Sequence, residues 1–404
     1  MQDKSAPALQ RRLGLALLVL YGTGITIGAG IYVLIGAVAG HAGKFAPWSF
    51  LIAGAAMAFT VASYAELAAR FPVSAGEAAY VRAAFDRAAL SRGVGLLTVA
   101  IGIVSSAAVA IGAAGYIREF VAAPEWLVIL VLLVLIGAVA SYGILESVVA
   151  ASVLTVIEIS GLVLVVAAAM ASGIEIEVMP VPPFQAQVWA GIGFASLLAF
   201  FAFIGFEDLA NVAEEAKEPE RDLPRAMAIT LVVSTGLYVA VAAVAVSAVP
   251  PAELAASKAP LSLVFQRVAH VSPATISVIA IIATLNTILA QLTMVSRVIY
   301  GMARQGDLPR GLAQVNAKTN TPLLATWLAV AVALLLALVA PIERLAEGTS
   351  IATLVVFAAV NLALIALRRK GAPAQGISYR APAWTPWLGL VTAMGLIALS
   401  FGKG

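Results

Sequence analysis

The sequence predicts an all-α integral membrane protein with about eleven spanning helices, and three observations carry that reading. Of its 404 residues, 62% are hydrophobic and only 11% charged, whereas soluble domains carry roughly 25% charged residues. A soluble fold this apolar has too few polar side chains to cover its surface. The apolar residues also fall in repeated runs, each near the roughly 20 residues that cross a bilayer as helix. Finally, Lys and Arg are shared unevenly between the connections, as the positive-inside rule demands.

The runs lie near Leu13–Ala39, Trp48–Ala69, Gly93–Tyr116, Trp126–Tyr142, Val148–Ala171, Val188–Ala210, Ala226–Val249, Thr275–Met302, Leu323–Ala340, Thr349–Leu367 and Pro386–Phe401. The fourth and the last are the shortest or most interrupted. With the N-terminus in the cytoplasm, eighteen of the 24 Lys and Arg fall in inside segments, from Lys4 and Arg11 to Arg380. The outside segments hold Lys44, Arg118, Lys258, Arg267, Arg344 and Lys403. This bias predicts a multi-pass protein of the inner (plasma) membrane with its N-terminus cytoplasmic. Met1–Arg12 is polar and the run after it is too long for a signal-peptide core, so it reads as the first span. Phe71–Arg92 is too polar to span and reads as an amphipathic linker on the cytoplasmic surface, and Pro251–His270 suits the same role outside. No soluble domain interrupts the chain, so residues 1–404 form one domain. Its halves, 13–172 and 188–367, hold about five spans each, and 383–404 adds a helix. Because five is odd, the halves have opposite topology.

Several chemistries are excluded. There is no cysteine, hence no disulfide, thiol catalysis or Cys-bound metal. His41 and His270 are the two histidines and cannot build a His-rich metal site. No phosphate-binding G-x-x-x-x-G-K-[ST] run occurs, and Gly22-x-Gly24 does not follow a strand. The chain therefore predicts no cofactor, no metal and no enzyme.

The first span carries Gly22, Gly24, Gly28 and Gly30 within Tyr21–Tyr32. Each glycine costs a helix interior up to about 1 kcal/mol relative to Ala. As continuous helix the span would be ~40 Å long, against ~30 Å of hydrocarbon. Two readings fit: a helix that unwinds at its middle, or close helix packing through small residues. The sixth span offers a partner, Phe200-Phe-Ala-Phe-Ile-Gly-Phe-Glu-Asp208, in which Gly205 precedes two carboxylates. Interrupted segments at matching places in two halves point to a transporter's binding site. Unwinding frees N–H groups at the positive start of a half-helix, where a carboxylate fits. It also frees carbonyls that suit an ammonium. A zwitterionic amino acid carries both groups.

These residues resemble a known family. Gly24-Ile-Thr-Ile-Gly-Ala-Gly-Ile-Tyr32 is similar to the first-helix signature of the amino acid–polyamine–organocation superfamily. Ser63–Glu77 resembles its second helix and following loop, Phe200–Pro224 its sixth helix and loop, and Ser296–Pro309 the end of its eighth helix. The resemblance implies a LeuT-like 5+5 inverted repeat with helices 1 and 6 discontinuous, and alternating access. Carried onto this chain, it places the substrate carboxylate at the N–H groups near Gly28, Ala29 and Gly30. The ammonium falls at the carbonyls of Thr26, Phe201 and Ile204, with Phe201 as an aromatic lid. Many members have a twelfth helix, and this chain stops one short.

Many relatives place a lysine midway along the fifth helix, where this chain has Glu158 between apolar flanks. An ionisable residue inside a span is a functional hypothesis by default. Glu158 reads as a proton-coupling group, as part of a sodium site, or as a hydrogen-bonded structural Glu. Glu207 reads as a proton sensor or gate, or as a carboxylate capping freed amides, and Asp208 as a holder of a basic substrate group. Glu66 reads as structural, close to Arg70 one turn on, and Arg297 as a gate residue facing a carboxylate. Ala29, Ala202 and Phe203 suggest an apolar pocket and hence a neutral amino acid. The implied partners are an amino acid, the bilayer, and protons or sodium, with no nucleic acid; the oligomeric state stays open. A polyamine or organic-cation carrier and an amino acid exchanger are the alternatives within transport. A channel or receptor on the same fold is the alternative outside it.

Overall fold

The computed structural model describes residues 13–71, 76–142, 148–213, 216–270, 272–304, 306–316, 318–319, 321–371 and 379–401. Lys4, Arg11, Arg12 and Lys403, named above, lie outside them, as do residues 214–215 within the Phe200–Pro224 stretch. Among the described residues the structure is helical, with one isolated parallel bridge between Leu13 and Ala216.

The first span is two helices, α1 (Leu15–Ile27) and α2 (Gly30–Ala42). A 3₁₀ turn at Gly43–Phe45 leads into α3 (Ala46–Arg70). Then come α4 (Gly76–Phe85), α5 (Ala88–Ile117), α6 (Glu125–Ser141) and α7 (Val148–Ser172). The sixth span is α8 (Ala186–Phe200), a 3₁₀ turn at Phe201–Phe203, and the single turn α9 (Asp208–Asn211). α10 (Pro219–Ala248), α11 (Pro251–Ala256), α12 (Pro260–Ala269), α13 (Ala274–Arg304), α14 (Leu323–Val339), α15 (Ile342–Arg369) and α16 (Thr385–Phe401) complete the chain. Among the described residues, seven stretches are long and apolar enough to cross a bilayer: 30–70, 88–117, 153–172, 186–210, 219–248, 274–304 and 342–369. Four shorter apolar helices, α1, α6, α14 and α16, stand beside them. The chain is thus an integral membrane protein, and each stretch marked in the sequence coincides with an apolar helix or helix pair.

Proline marks several helix starts, at Pro47, Pro219, Pro251 and Pro260. In the first turn its missing N–H removes no intrahelical bond. The bundle is built by α10 against α3, and by α13 and α15 against α5. α1 lies between α7 and α10, and α2 packs on α8 and α11.

Both linkers go deeper than a surface-lying helix would. α4 buries Glu77, Tyr80, Val81 and Ala84, a one-sided face at i, i+3, i+4 and i+7. That face packs on α5 and α15. α12 buries Leu261, Ser262, Val264, Phe265 and Val268 against α2, α7, α10 and α13. The Tyr116 hydroxyl donates to the Tyr32 carbonyl (2.6 Å) and accepts the Leu261 N–H (3.4 Å), so α5, α2 and α12 meet at one atom. Glu119, at the same end, accepts the hydroxyls of Ser262 (2.8 Å) and Ser277. α12 is therefore a seated cap.

At the opposite end Glu66 is fully buried. Its carboxylate accepts Arg70 Nε (2.9 Å) and Nη2 (2.7 Å), both donors of the Arg368 fork, and the Ala381 N–H (2.8 Å). The structural reading of Glu66 is thereby extended from one partner to three, and α3, α15 and the approach to α16 are joined at one side chain. Removing one member of a buried charge group leaves the others uncompensated, at a cost of about 3–5 kcal/mol. Glu66→Ala is therefore expected to lower the melting temperature of the detergent-purified protein by several degrees; an unchanged melt would show that the cluster carries no stability.

Candidate functional site

Both interrupted spans are broken in the middle of the bundle. α1 ends at Gly28 (φ 26°, ψ −136°), and α2 starts at Gly30. In the sixth span Ile204 is extended (ψ 135°) and Gly205 takes φ 115°, a conformation open to glycine but strained for other residues. The breaks touch. A Cβ on Gly30 would stand 2.5 Å from Ala202 Cα, so only glycine lets the two backbones approach. Of the two readings left open for the first span, the break is correct, and close packing contributes to it at Gly30.

The groups freed by unwinding are held by side chains from other helices. The Ala29 N–H donates to Thr287 Oγ1 (3.1 Å). The carbonyls of Thr26 and Ala202 converge on the Tyr238 hydroxyl, at 2.7 Å and 2.6 Å. One hydroxyl proton thus serves one carbonyl from each break. The Gly205 N–H donates to Glu207 Oε2 (2.8 Å), which is the amide-capping geometry read for Glu207 from the sequence. The Ile204 N–H closes the 3₁₀ turn onto the Phe201 carbonyl (3.2 Å).

Glu158 is fully buried on α7. Its Oε1 accepts Asn286 Nδ2 (3.2 Å), and its backbone carbonyl accepts the Tyr32 hydroxyl (2.6 Å). Asn286 and Thr287 are consecutive on α13. One contacts the Glu158 carboxyl and the other holds the Ala29 amide of the first break. The carboxylate and the break are joined through a single peptide unit.

A cavity of about 80 Å³ opens beside the breaks. Gly24, Ile25, Ile204, Gly205, Glu207 and Asp208 line it from the broken spans, Glu77 from α4, and Asn286, Thr287, Gln291 and Met294 from α13. Among the sequence-predicted residues, Ile204, Glu207 and Asp208 therefore reach the cavity. Thr26, Gly28, Ala29, Gly30, Phe201 and Ala202 are gathered at the contact between the breaks but do not line it. Glu158 stands behind Asn286. Arg297 is exposed on α13 and makes no ion pair among the described residues, so no gate pair with a carboxylate is seen among them. A larger space, about 780 Å³, lies between α5, α6, α7 and α13, but its wall is aliphatic except for Asn286. It offers no polar set for a zwitterion.

Sequence reasoning missed Tyr238, Asn286, Thr287, Gln291 and Glu77. Four of them are polar or hydroxylated side chains inside long apolar runs. That signal was available, because a polar group in a span needs a partner. Glu77 was hidden by its place in a linker that looked solvated. It is 8% exposed and accepts the Tyr64 hydroxyl on Oε1 (3.1 Å). Tyr64 in turn packs edge-on against Phe206 and Phe357, ring centroids 5.1 Å and 5.4 Å away.

α4 is not a spanning helix, and burial pushes the Glu77 carboxyl up from 4.5 to about 7. The charge of Asp208 adds to the rise, and hydrogen bonds from its own backbone and Tyr64 oppose it. The folded chain keeps this proton up to about pH 7, whereas the unfolded chain releases it near 4.5. The folded state binds more protons across that window, so stability falls as pH rises through it. Glu77→Gln is expected to flatten the decline in melting temperature between about pH 5 and about pH 7.5; an unchanged slope would remove Glu77 as its source.

An amino acid permease family model matches residues 13–404. The chain is 32% identical over 385 residues to the branched-chain amino acid permease BcaP of Bacillus subtilis (strain 168), covering 90% of this chain and 82% of that protein. It is 32% identical over 437 residues to the chloroplastic cationic amino acid transporter 9 of Arabidopsis thaliana, covering 100% of this chain and 74% of that one. With the methylthioribose transporter of Bacillus subtilis (strain 168) it shares 30% over 420 residues, covering 97% and 88%. These names are those of permeases and transporters, in line with the expectation that the chain is not an enzyme.

Proposed function

Because the chain belongs to the amino acid permease family, we propose that it is a proton-coupled symporter of a neutral amino acid. In this reading it works by alternating access on a LeuT-like five-plus-five inverted repeat, in the inner membrane with its N-terminus cytoplasmic. The observation that carries the proposal is the junction of the two breaks with the Asn286–Thr287 pair. The substrate carboxylate takes the amides at the start of α2, Ala29 and Gly30, displacing the Thr287 hydroxyl. The ammonium takes carbonyls of the breaks, joining or displacing the Tyr238 hydroxyl at Thr26 and Ala202. Phe201, Ala202 and Ile204 then shape the wall around the side chain.

Coupling follows from the same junction. A proton on Glu158 changes what its Oε1 offers to Asn286. A shift of Asn286 moves Thr287 with it and releases the Ala29 amide to the substrate. One charge crossing about 100 mV supplies about 2.3 kcal/mol, enough for roughly fifty-fold accumulation, so one titrating group suffices. The seated cap of α12 closes the outer side, and the cavity with Glu207, Asp208 and Glu77 lies toward the inner side.

A second reading rests on that cavity. Three carboxylates, Glu77, Glu207 and Asp208, line it with no basic side chain among the described lining residues. This favours a substrate with an additional positive charge, and relatives named as cationic amino acid transporters support it.

Purified protein in proteoliposomes is expected to accumulate L-leucine when the outside is made acidic, and to lose that accumulation when a protonophore is added. Gradient-independent uptake would sink proton coupling, and accumulation of L-lysine but not L-leucine would favour the second reading. Glu158→Gln is expected to abolish the response to the pH gradient while leaving exchange of internal for external substrate; a retained response would sink the role of Glu158. Tyr238→Phe is expected to raise KM about tenfold, equivalent to ~1.4 kcal/mol of lost binding, with a far smaller change in maximal rate. An unaltered KM would place the ammonium elsewhere.

A further inference from the structure

Arg297 does not line the cavity, but it lies further along the helix that supplies much of its wall. The residues of α13 that line the cavity are Asn286, Thr287, Ala290, Gln291 and Met294. They recur at helical spacing and define one face. Arg297 follows Ala290 by seven residues and Met294 by three, and it lies eleven residues, three turns, beyond Asn286. At 100° per residue these separations return it to the cavity face. Its rise beyond Met294 is only about 4.5 Å, and it stands about 10 Å before the helix end at Arg304. The side chain is exposed, and no hydrogen bond, ion pair or ring contact occupies it among the described residues. By contrast Arg70 and Arg368 are paired with Glu66, and Arg92 with Asp307.

An unpaired guanidinium on this face has a physical consequence. The cavity wall beyond it presents the carboxylates of Glu77, Glu207 and Asp208. A zwitterion between the two is oriented, with its ammonium toward the carboxylates and its carboxylate toward Arg297. The guanidinium fork matches a carboxylate with two parallel hydrogen bonds, and a lone cation beside a low-dielectric wall raises the local concentration of anions.

We propose that Arg297 is a substrate-binding residue, the station for the substrate's carboxylate at the end of the path that the N-terminus shares, reached after the carboxylate leaves the amides of α2. The inference rests on the proposed amino acid site at the breaks and adds a second, weaker site on one side of it.

The test compares KM for L-leucine at the two faces, in right-side-out and inside-out vesicles holding equal amounts of protein. Arg297→Gln is expected to raise KM about tenfold at the face carrying the N-terminus and to leave the other face within twofold. Arg297→Lys, which keeps the charge without the fork, is expected to fall between. Inhibition by L-leucinamide, which lacks the carboxylate, is expected to change less than threefold in either variant. An unchanged KM, an equal change at both faces, or equal impairment by Gln and Lys overturns the inference. So does a loss that affects L-leucine and L-leucinamide alike and follows the anionic-lipid content of the vesicles, which would assign Arg297 to a headgroup phosphate. Failure of the wild type to take up L-leucine at either face overturns the neutral amino acid reading and the inference with it. A wild type that transports, with variants that match it, overturns the inference alone.

Discussion

Inside a bilayer every backbone polar group has to be satisfied by the protein, because hydrocarbon offers no partner. The two broken spans bring that constraint to the centre of this molecule. Their freed amides and carbonyls are met by Thr287, Tyr238 and Glu207, and these contacts fix how the surrounding elements stand. Tyr238 ties α10 to both breaks, and Thr287 ties α13 to the start of α2. Glu207 caps its own break from two residues away. In the proposed site a substrate's carboxylate and ammonium would compete for the same backbone groups, so that stability and recognition would draw on one set of atoms.

Hydrogen bonds that cross between helices extend outward from this junction. On the cap side, the hydroxyls of Tyr32 and Tyr116 each donate to a backbone carbonyl, linking α12 through α5 and α2 to the Glu158 turn of α7. On the other side, Glu66 collects Arg70, Arg368 and the Ala381 amide and anchors the approach to α16. The two ends differ in kind. The cap is held by hydroxyl hydrogen bonds, to backbone carbonyls and to the Glu119 carboxylate, with no buried guanidinium among the described residues. The Glu66 cluster is ionic and buried, and breaking it strands charge. In the proposed alternating mechanism the cap would be the end that opens and the Glu66 cluster the fixed reference.

Glu77, Glu207 and Asp208 illustrate how burial changes the meaning of a residue. In the sequence they sit in a polar linker and at the end of an apolar run. In the fold they face one cavity with Asn286 and Gln291. Three carboxylates gathered on one cavity wall repel one another, and a cationic group entering the cavity would relieve that repulsion. Arg297, exposed on α13 and without an ion pair among the described residues, is the proposed counterpart to these carboxylates.

Much of the architecture was legible in the residues themselves. The apolar runs, the Lys and Arg bias, the glycines of Tyr21–Tyr32 and Gly205 before two carboxylates are local properties, set by transfer into hydrocarbon and by backbone freedom. The residues alone therefore settled the membrane class, the positions of the spanning helices, where the breaks could fall and the isolation of Glu158 in an apolar span, while the choice between a break and close packing in the first span came from the fold. The sequence by itself did not determine which side chains satisfy those breaks. Tyr238 reaches Thr26 across 212 residues and Thr287 reaches Ala29 across 258, separations that no periodicity encodes. The burial of α4, the three partners of Glu66 and the junction of Glu158 with the first break through Asn286–Thr287 were likewise decided by tertiary structure. Each depends on which helices stand side by side, and that is set by packing over the whole bundle rather than by the residues on either side in the chain.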